Sequence, residues 1–248
     1  MNLGYVLGVH APGRTDAVDG PIAAHHLLVA HALAAEGVRA ISDAEVSVTL
    51  NFAPTVQTTD RPDTEAELRH AIQNQWYVEP LSGRGYPPEL AEQMQWDQGE
   101  VLDGDLALVS EPVDVLGVSC DEGLPSSLGP TLQWLDEHYS FPSYLVVGSG
   151  LATTDEATNK GRIADFDRIE HVHTQLIGLH AAIKRGSTVE GYLVRSLLDG
   201  FEWNEGYGNR YGIIEVDRQT MERRPKASAA WFSGVASANG VAARLDVF

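Results

Sequence analysis

Cysteine is almost absent: Cys120 stands alone among 248 residues. One thiol closes no intramolecular disulfide, so the fold rests on packing, and a reducing, cytoplasmic setting is expected. Basic residues are scarce as well. Lys and Arg number 17 against 35 Asp and Glu, a formal charge of −18. Such a chain repels phosphate backbones and anionic lipid, so neither nucleic acid nor a membrane surface is an expected partner. No apolar run approaches the roughly 20 residues that span a bilayer. Met1-Asn2-Leu3-Gly4 lacks the basic start of a secretory signal. Histidine is present without metal-ligand spacing: His25 and His26 adjoin, His171 and His173 are two apart, and neither pair shares a helix face. Neither G-x-G-x-x-G nor a Walker loop occurs, and Ser149 lies in no G-x-S-x-G elbow. The expectation is no metal and no cofactor.

What is there is a chain that is 43% hydrophobic, enough for a sizeable core in a single domain over residues 1–248. Short apolar, β-branched runs predict strands at 46–52, 113–119, 144–147, 190–194 and 211–217. Between them lie helical patterns. One starts at Pro21 and ends at Gly37, with Ile22, Ala23, His26, Val29, Ala30 and Leu33 on one face. Others are predicted at 63–76, 88–94, 130–139 and 165–185, the last with Ile169, Val172, His173, Leu176, His180 and Ile183 on one face. A terminal helix starts at Pro225. Alternating strands and helices predict an α/β fold with a parallel sheet, whose ligand site stands at the carboxyl ends of the strands.

The stretch just past the fourth strand is the most informative. Gly191, Tyr192, Ser196, Leu197, Leu198, Asp199, Phe201, Glu202, Trp203, Gly206, Tyr207, Arg210 and Gly212 fit the pattern G-Y-F-x-W-S-L-L-D-N-F-E-W-x-x-G-Y-x-x-R-F-G. That pattern resembles the last barrel strand of family 1 glycoside hydrolases, the β-glucosidases and their relatives. Further resemblances are the Val9-His10-Ala11-Pro12-Gly13 loop, the strand ending Thr49-Leu50-Asn51-Phe52-Ala53-Pro54, Gln73-Asn74-Gln75-Trp76, and Pro225-Lys226-Ala227-Ser228. The resemblance covers nearly the whole chain but only the second half of the family's barrel. It implies a truncated TIM (β/α)8-type barrel: about four β/α units, plus a C-terminal strand and helix.

The departures bear on chemistry. The family's acid/base motif T-x-N-E-P does not occur. The nucleophile's position in I/V-T-E-N-G aligns with Gly148, and a sugar-stacking Trp is replaced by Arg195. Where the family has Asn and Tyr, this chain has Ser119, Cys120 and Asp121. A retaining glycosidase needs two carboxyl groups about 5–5.5 Å apart, so ordinary β-glucosidase activity is not expected. The candidate acid/base residues are Glu202 and Asp121. The candidate substrate-binding residues are Trp203, Arg195, Cys120, Ser119, Gly148, His10 and Asn51. Glu202 and Trp203 read equally well as a packing unit at the strand rim, and Arg195 as the partner of Glu202 or Asp199 in a structural ion pair.

Three functions fit. The first is a repurposed enzyme that eliminates water from a small-molecule substrate, as the resemblance implies: some family 1-like proteins of tetramate-polyketide antibiotic pathways are associated with double-bond formation. The second is a non-catalytic binding or scaffold module, or one half of a split glycosidase. The third is a residual β-glycosidase. An open parallel sheet also leaves two unpaired edges and an uncovered inner face of Val and Leu, so a homodimer, or a partner chain completing the barrel, is expected.

Overall fold

The computed structural model describes residues 2–16, 18–53, 64–120, 124–153, 155 and 163–245. A π-helical turn at Asn2–Val6 and a Gly-rich loop lead into α1 (Asp19–Arg39). Strand β1 (Ser47–Phe52) follows, then α2 (Thr64–His70), a π-helical stretch (Ala71–Gln75), α3 (Trp76–Leu81), α4 (Pro88–Gln93) and α5 (Asp105–Val109). Next come β2 (Val115–Cys120), α6 (Leu128–His138), β3 (Tyr144–Ser149), α7 (Phe166–Arg185) and β4 (Val189–Val194). A short hairpin of β5 (Ile214–Val216) and β6 (Arg223–Pro225) precedes α8 (Ala227–Ala238). The four long strands are hydrogen-bonded in the order β1-β2-β3-β4. Sequential order with helical crossovers is the β/α pattern of a partial barrel.

Two compact units divide the chain: Met1–Gly117 with Leu135–Ser143, and Val118–Trp134 with Tyr144–Phe248. In the first, α1 lays Ala24, Leu28, Ala32 and Ala35 inward, with His25 fully buried among them. This corrects the expected face, because Leu33 is 54% exposed. Alanine is spread all round α1, so apolarity alone does not mark one stripe. Trp76, Tyr86 and Trp96 fill the core, with Val48 and Leu50 packed against it. The other face of β1 shows Ser47, Thr49 and Asn51 to solvent. On β1 that face is therefore polar, where Val and Leu were expected. Gly117 fits there by necessity: a Cβ would stand 2.2 Å from Thr49 Oγ1. Asn74 pins the end of β1, accepting from Ala53 N–H at 2.9 Å and donating to its carbonyl at 3.1 Å.

In the second unit, β3 and β4 run parallel, pairing Leu145 with Gly191 and Ser149 with Val194. Tyr144, Val146, Leu128 and Leu132 are buried with Ile169, Val172 and Leu179 of α7. The core face of α7 also carries Arg168, His171 and Gln175, all buried, while His180 and Ile183 are exposed. The expected apolar stripe is thus shifted toward polar positions whose hydrogen bonds are made inside. The predicted strand at 211–217 shrinks to β5, which pairs antiparallel with β6.

Candidate functional site at the carboxyl end of the last strand

Strand β4 continues into a loop held by backbone bonds. Arg195 N–H donates to Ser149 O at 2.9 Å, and Ser196 N–H to Tyr211 O at 3.0 Å. Glu202 and Gly206 exchange two bonds, at 2.7 and 2.8 Å, closing a tight turn. These bonds fix two side chains opposite each other. Arg195 Nη2 donates to the Glu202 carboxylate, and its guanidinium lies 4.0 Å above the Tyr211 ring. The Arg195 and Glu202 side chains are 36% and 19% exposed. A planar cation that donates to a carboxylate and lies over an aromatic face is a positive group held in place while partly open to water.

Of the two carboxylates open to Arg195 on sequence grounds, Glu202 is therefore its partner. Asp199 is engaged elsewhere: its Oδ1 accepts from Lys226 Nζ and from Gly212 N–H, both at 2.9 Å. Lys226 also donates to Asp155, and Arg168 donates to Asp165. Arg168 Nη2 reaches Thr153 Oγ1 and Arg210 O, both at 2.6 Å. Asp165 takes the N–H of Ser228 at 2.9 Å. Asp155, Asp165, Arg168, Asp199 and Lys226 are all buried. One ionic network thus anchors the loop after β3, the loop after β4 and the first turns of α7 and α8.

The remaining candidates are scattered. Trp203 is 92% exposed, so the indole is not the wall of an enclosed sugar site. Gly148, the penultimate residue of β3, is in the left-handed region at φ +71°, and a Cβ there would meet Ser119 Oγ at 3.4 Å. Ser119 therefore faces Gly148. Cys120, one residue on, points to the opposite side of the strand, as strand alternation requires. It is buried near Tyr192, whose hydroxyl donates to Gln175 Oε1 of α7 at 2.6 Å. Cys120 thus stands on the α7 side of the strand, away from the Ser119–Gly148 side. Burial is the main cause that pushes the Tyr192 phenol well above its usual range. His10 and Asn51 belong to the first unit and are exposed, His10 in the Gly-rich loop and Asn51 on β1. Asp121 lies outside the described residues. Among the described residues, no three His, Cys, Asp or Glu side chains are grouped to hold a metal ion.

Sequence reasoning did not single out Tyr211 or the Lys226 network. Lys226 had a signal in Pro225-Lys226-Ala227-Ser228, because a lysine and a serine opening an apolar helix point to buried polar partners. Tyr211 had none beyond its place at the start of the predicted 211–217 strand.

A parallel β/α sheet carrying a cation, a carboxylate and aromatic rings at its carboxyl rim places the chain in the class of β/α-barrel proteins. The sequence profile of glycosyl hydrolase family 1 matches residues 1–123 and 120–241. Beta-glucosidase A of Acetivibrio thermocellus is 30% identical over 96% of this chain and 61% of its own length. A bifunctional beta-D-glucosidase/beta-D-fucosidase of Bifidobacterium breve is 32% identical over 93% of this chain and 60% of its own. The crystal structure of the psychrophilic beta-glucosidase BglU from Micrococcus antarcticus superposes with a TM-score of 0.89 at 30% identity, covering 96% of this chain and 63% of that one. The chain belongs to glycosyl hydrolase family 1. It spans about three fifths of the length of the relatives it matches. No helix among the described residues is long and apolar enough to cross a membrane.

Proposed function

We propose that this single family 1 partial-barrel domain is not a competent retaining glycosidase and instead performs acid/base elimination, loss of water with double-bond formation, on a small secondary metabolite in a reducing, cytoplasmic setting. The observation that carries this reading is the Arg195–Glu202–Tyr211 group. A covalent glycosyl intermediate needs a carboxylate where Gly148 stands, with a second about 5–5.5 Å away. Elimination needs neither. Glu202, whose carboxylate accepts a hydrogen bond from Arg195, is the base. Arg195 is a fixed cation for negative charge that develops on a neighbouring oxygen. For a β-hydroxycarbonyl compound, Glu202 takes the α-proton and the C–H electron pair moves onto the carbonyl oxygen opposite Arg195. The enolate then collapses to the C=C bond and expels hydroxide, which leaves as water with a proton from solvent.

The test pairs two substrates. On an aryl β-glucoside the purified chain releases no aryl alcohol, in burst or steady state. On β-hydroxycarbonyl compounds it yields the conjugated enone, a product lost in Glu202→Gln and reduced at least tenfold in Arg195→Met. Aryl glucoside turnover that Glu202→Gln abolishes would revive a residual β-glycosidase and end the elimination reading.

A second reading is favoured by the exposure of Trp203, Phe201 and Leu197, at 92%, 59% and 62%. In it the chain is a binding or scaffold half that works with a second copy, or with a chain supplying the rest of the barrel. Absence of any turnover together with stoichiometric association would select it.

A further inference from the structure

The first unit holds a buried polar group that the proposed chemistry does not use. His25, fully buried in α1, has Nδ1 3.0 Å from the Tyr86 hydroxyl and Nε2 3.1 Å from Asp105 Oδ2. The roles follow from what each atom can do. Asp105 only accepts, and it also takes the Leu102 N–H at 2.9 Å, so Nε2 carries the hydrogen. That leaves a lone pair on Nδ1, and the Tyr86 O–H donates to it. The arrangement is a hydroxyl, a base and a carboxylate that fixes the tautomer of the base and stabilises its protonated form. Tyr86 is 5% exposed, which makes it inaccessible as a nucleophile. Electrons travel where atoms cannot, and the ring is not isolated. The Trp76 and Trp96 rings lie 4.8 and 4.9 Å from it and 5.2 Å from each other. Trp96 Nε1 donates to Glu100, which is exposed, at 2.9 Å.

We infer that Tyr86 is a proton-coupled redox site, where a one-electron outer-sphere oxidant acting at the surface near Trp96 leaves its oxidising equivalent as a neutral tyrosyl radical. One electron passes from the Tyr86 ring through the indoles to the oxidant. The hydroxyl proton moves about one hydrogen-bond length to His25 Nδ1, and no other bond changes. The resulting imidazolium keeps its Nε2–H on the Asp105 carboxylate, so the new charge is paired where it forms. Reduction returns the proton by the same path. Without the imidazole, the buried phenol would have to release its proton into an apolar core, which is costly. Two features of the site suit this role. Burial pushes the Tyr86 phenol above its usual range, so the hydroxyl stays protonated until it is oxidised. The Leu102 N–H, and after it His25, hold the Asp105 carboxyl below its usual range, so the terminal carboxylate is charged.

The experiment is flash photo-oxidation of the full chain with a ruthenium polypyridyl and a sacrificial electron acceptor. Tyrosyl radical is followed by transient absorption and freeze-quench electron paramagnetic resonance. The chain has eight tyrosines, so the variants decide. The expected result is a long-lived radical that is lost in Tyr86→Phe and short-lived in Asp105→Asn, with slower formation in deuterated buffer for the unaltered chain. Equal radical yield and lifetime in Tyr86→Phe would overturn the assignment. Should Tyr86→Phe fail to fold, Asp105→Asn decides alone: its carboxylate is 19% exposed, and an unchanged radical lifetime there refutes the relay.

Discussion

Arg195 and Lys226 each neutralise carboxylates near the same strand end, but water reaches them differently. The Arg195 side chain is 36% exposed, so solvent can take over much of its pairing when it is removed. Lys226 is 2% exposed and holds Asp155 and Asp199 together. Replacing it leaves two buried carboxylates without their shared cation. Lys226→Met is expected to cost about 3 kcal/mol or more of unfolding free energy, against about 1 kcal/mol for Arg195→Met, measured as urea midpoints at constant slope. Equal losses would mean the network is hydrated in solution. At this scale the sequence narrows the Arg195 partner to a choice of two, since Asp199 and Glu202 both follow within a few residues. What it could not give is which carboxylate the distant Lys226 claims. A contact 27 residues away is decided by how α8 docks.

Among the elements, α7 shows how a polar core makes a helix pH-sensitive. His171 is buried, and burial holds its imidazole below the ordinary 6.5. Its Nε2 lies 3.2 Å from Gln175 Nε2, where the amide donates to an unprotonated ring nitrogen; a proton there would set donor against donor. The unfolded chain therefore binds the proton first. Stability from this group is full above pH 6.5 and is lost as the pH falls below it. His70, lowered by burial first, and His31 in α1 act in the same direction. Urea midpoints should fall on acidification below pH 6.5, and His171→Gln should flatten part of that fall. A fall of undiminished size in the variant would place the titration elsewhere. Strand β2 offers a steric counterpart. Gly117→Ala puts a Cβ against Thr49, within 2.2 Å of Oγ1 and 2.8 Å of its Cα. The backbone contact cannot be relieved by a rotamer, so a loss of about 1–3 kcal/mol in the same urea assay is expected. Most elements were legible to within a few residues because period-2 and period-3.6 patterns alternate cleanly. The buried face of α1 was not, because alanines on every side blur the stripe. The 211–217 strand was overlong because the apolar residues before β5 serve backbone bonds to the β4 loop, Ile213 N–H to Ser196 O at 2.9 Å among them.

At the scale of the whole molecule, the parallel order β1-β2-β3-β4 makes β1 and β4 end strands, each with one side lacking a partner strand among the described residues. Parallel strands are seldom left open, because the unpaired N–H and C=O rows template further pairing. The sequence announced the kind of sheet, but no residue of the pattern says what would pair with its end strands. Each end strand is chemically suited to the other: β1 of one copy can pair in parallel with β4 of a second, and the reverse. The same association would cover Leu193, Leu197 and Phe201, which are 53%, 62% and 59% exposed. Opposing it is a formal charge of −18 on every copy. Screening shortens that repulsion to a few ångströms at molar salt while leaving apolar contact intact. The expected outcome is therefore a salt-dependent mass: size-exclusion chromatography with light scattering should show a dimer whose share rises with ionic strength. A charge reversal on the β4 edge, Glu190→Lys, should shift the balance toward dimer at low salt, because Glu190 is exposed beside that edge. If the chain instead stays monomeric at every ionic strength and associates only with a second chain supplying the rest of a β/α barrel, the open edges are the seam of a split enzyme, not of a homodimer.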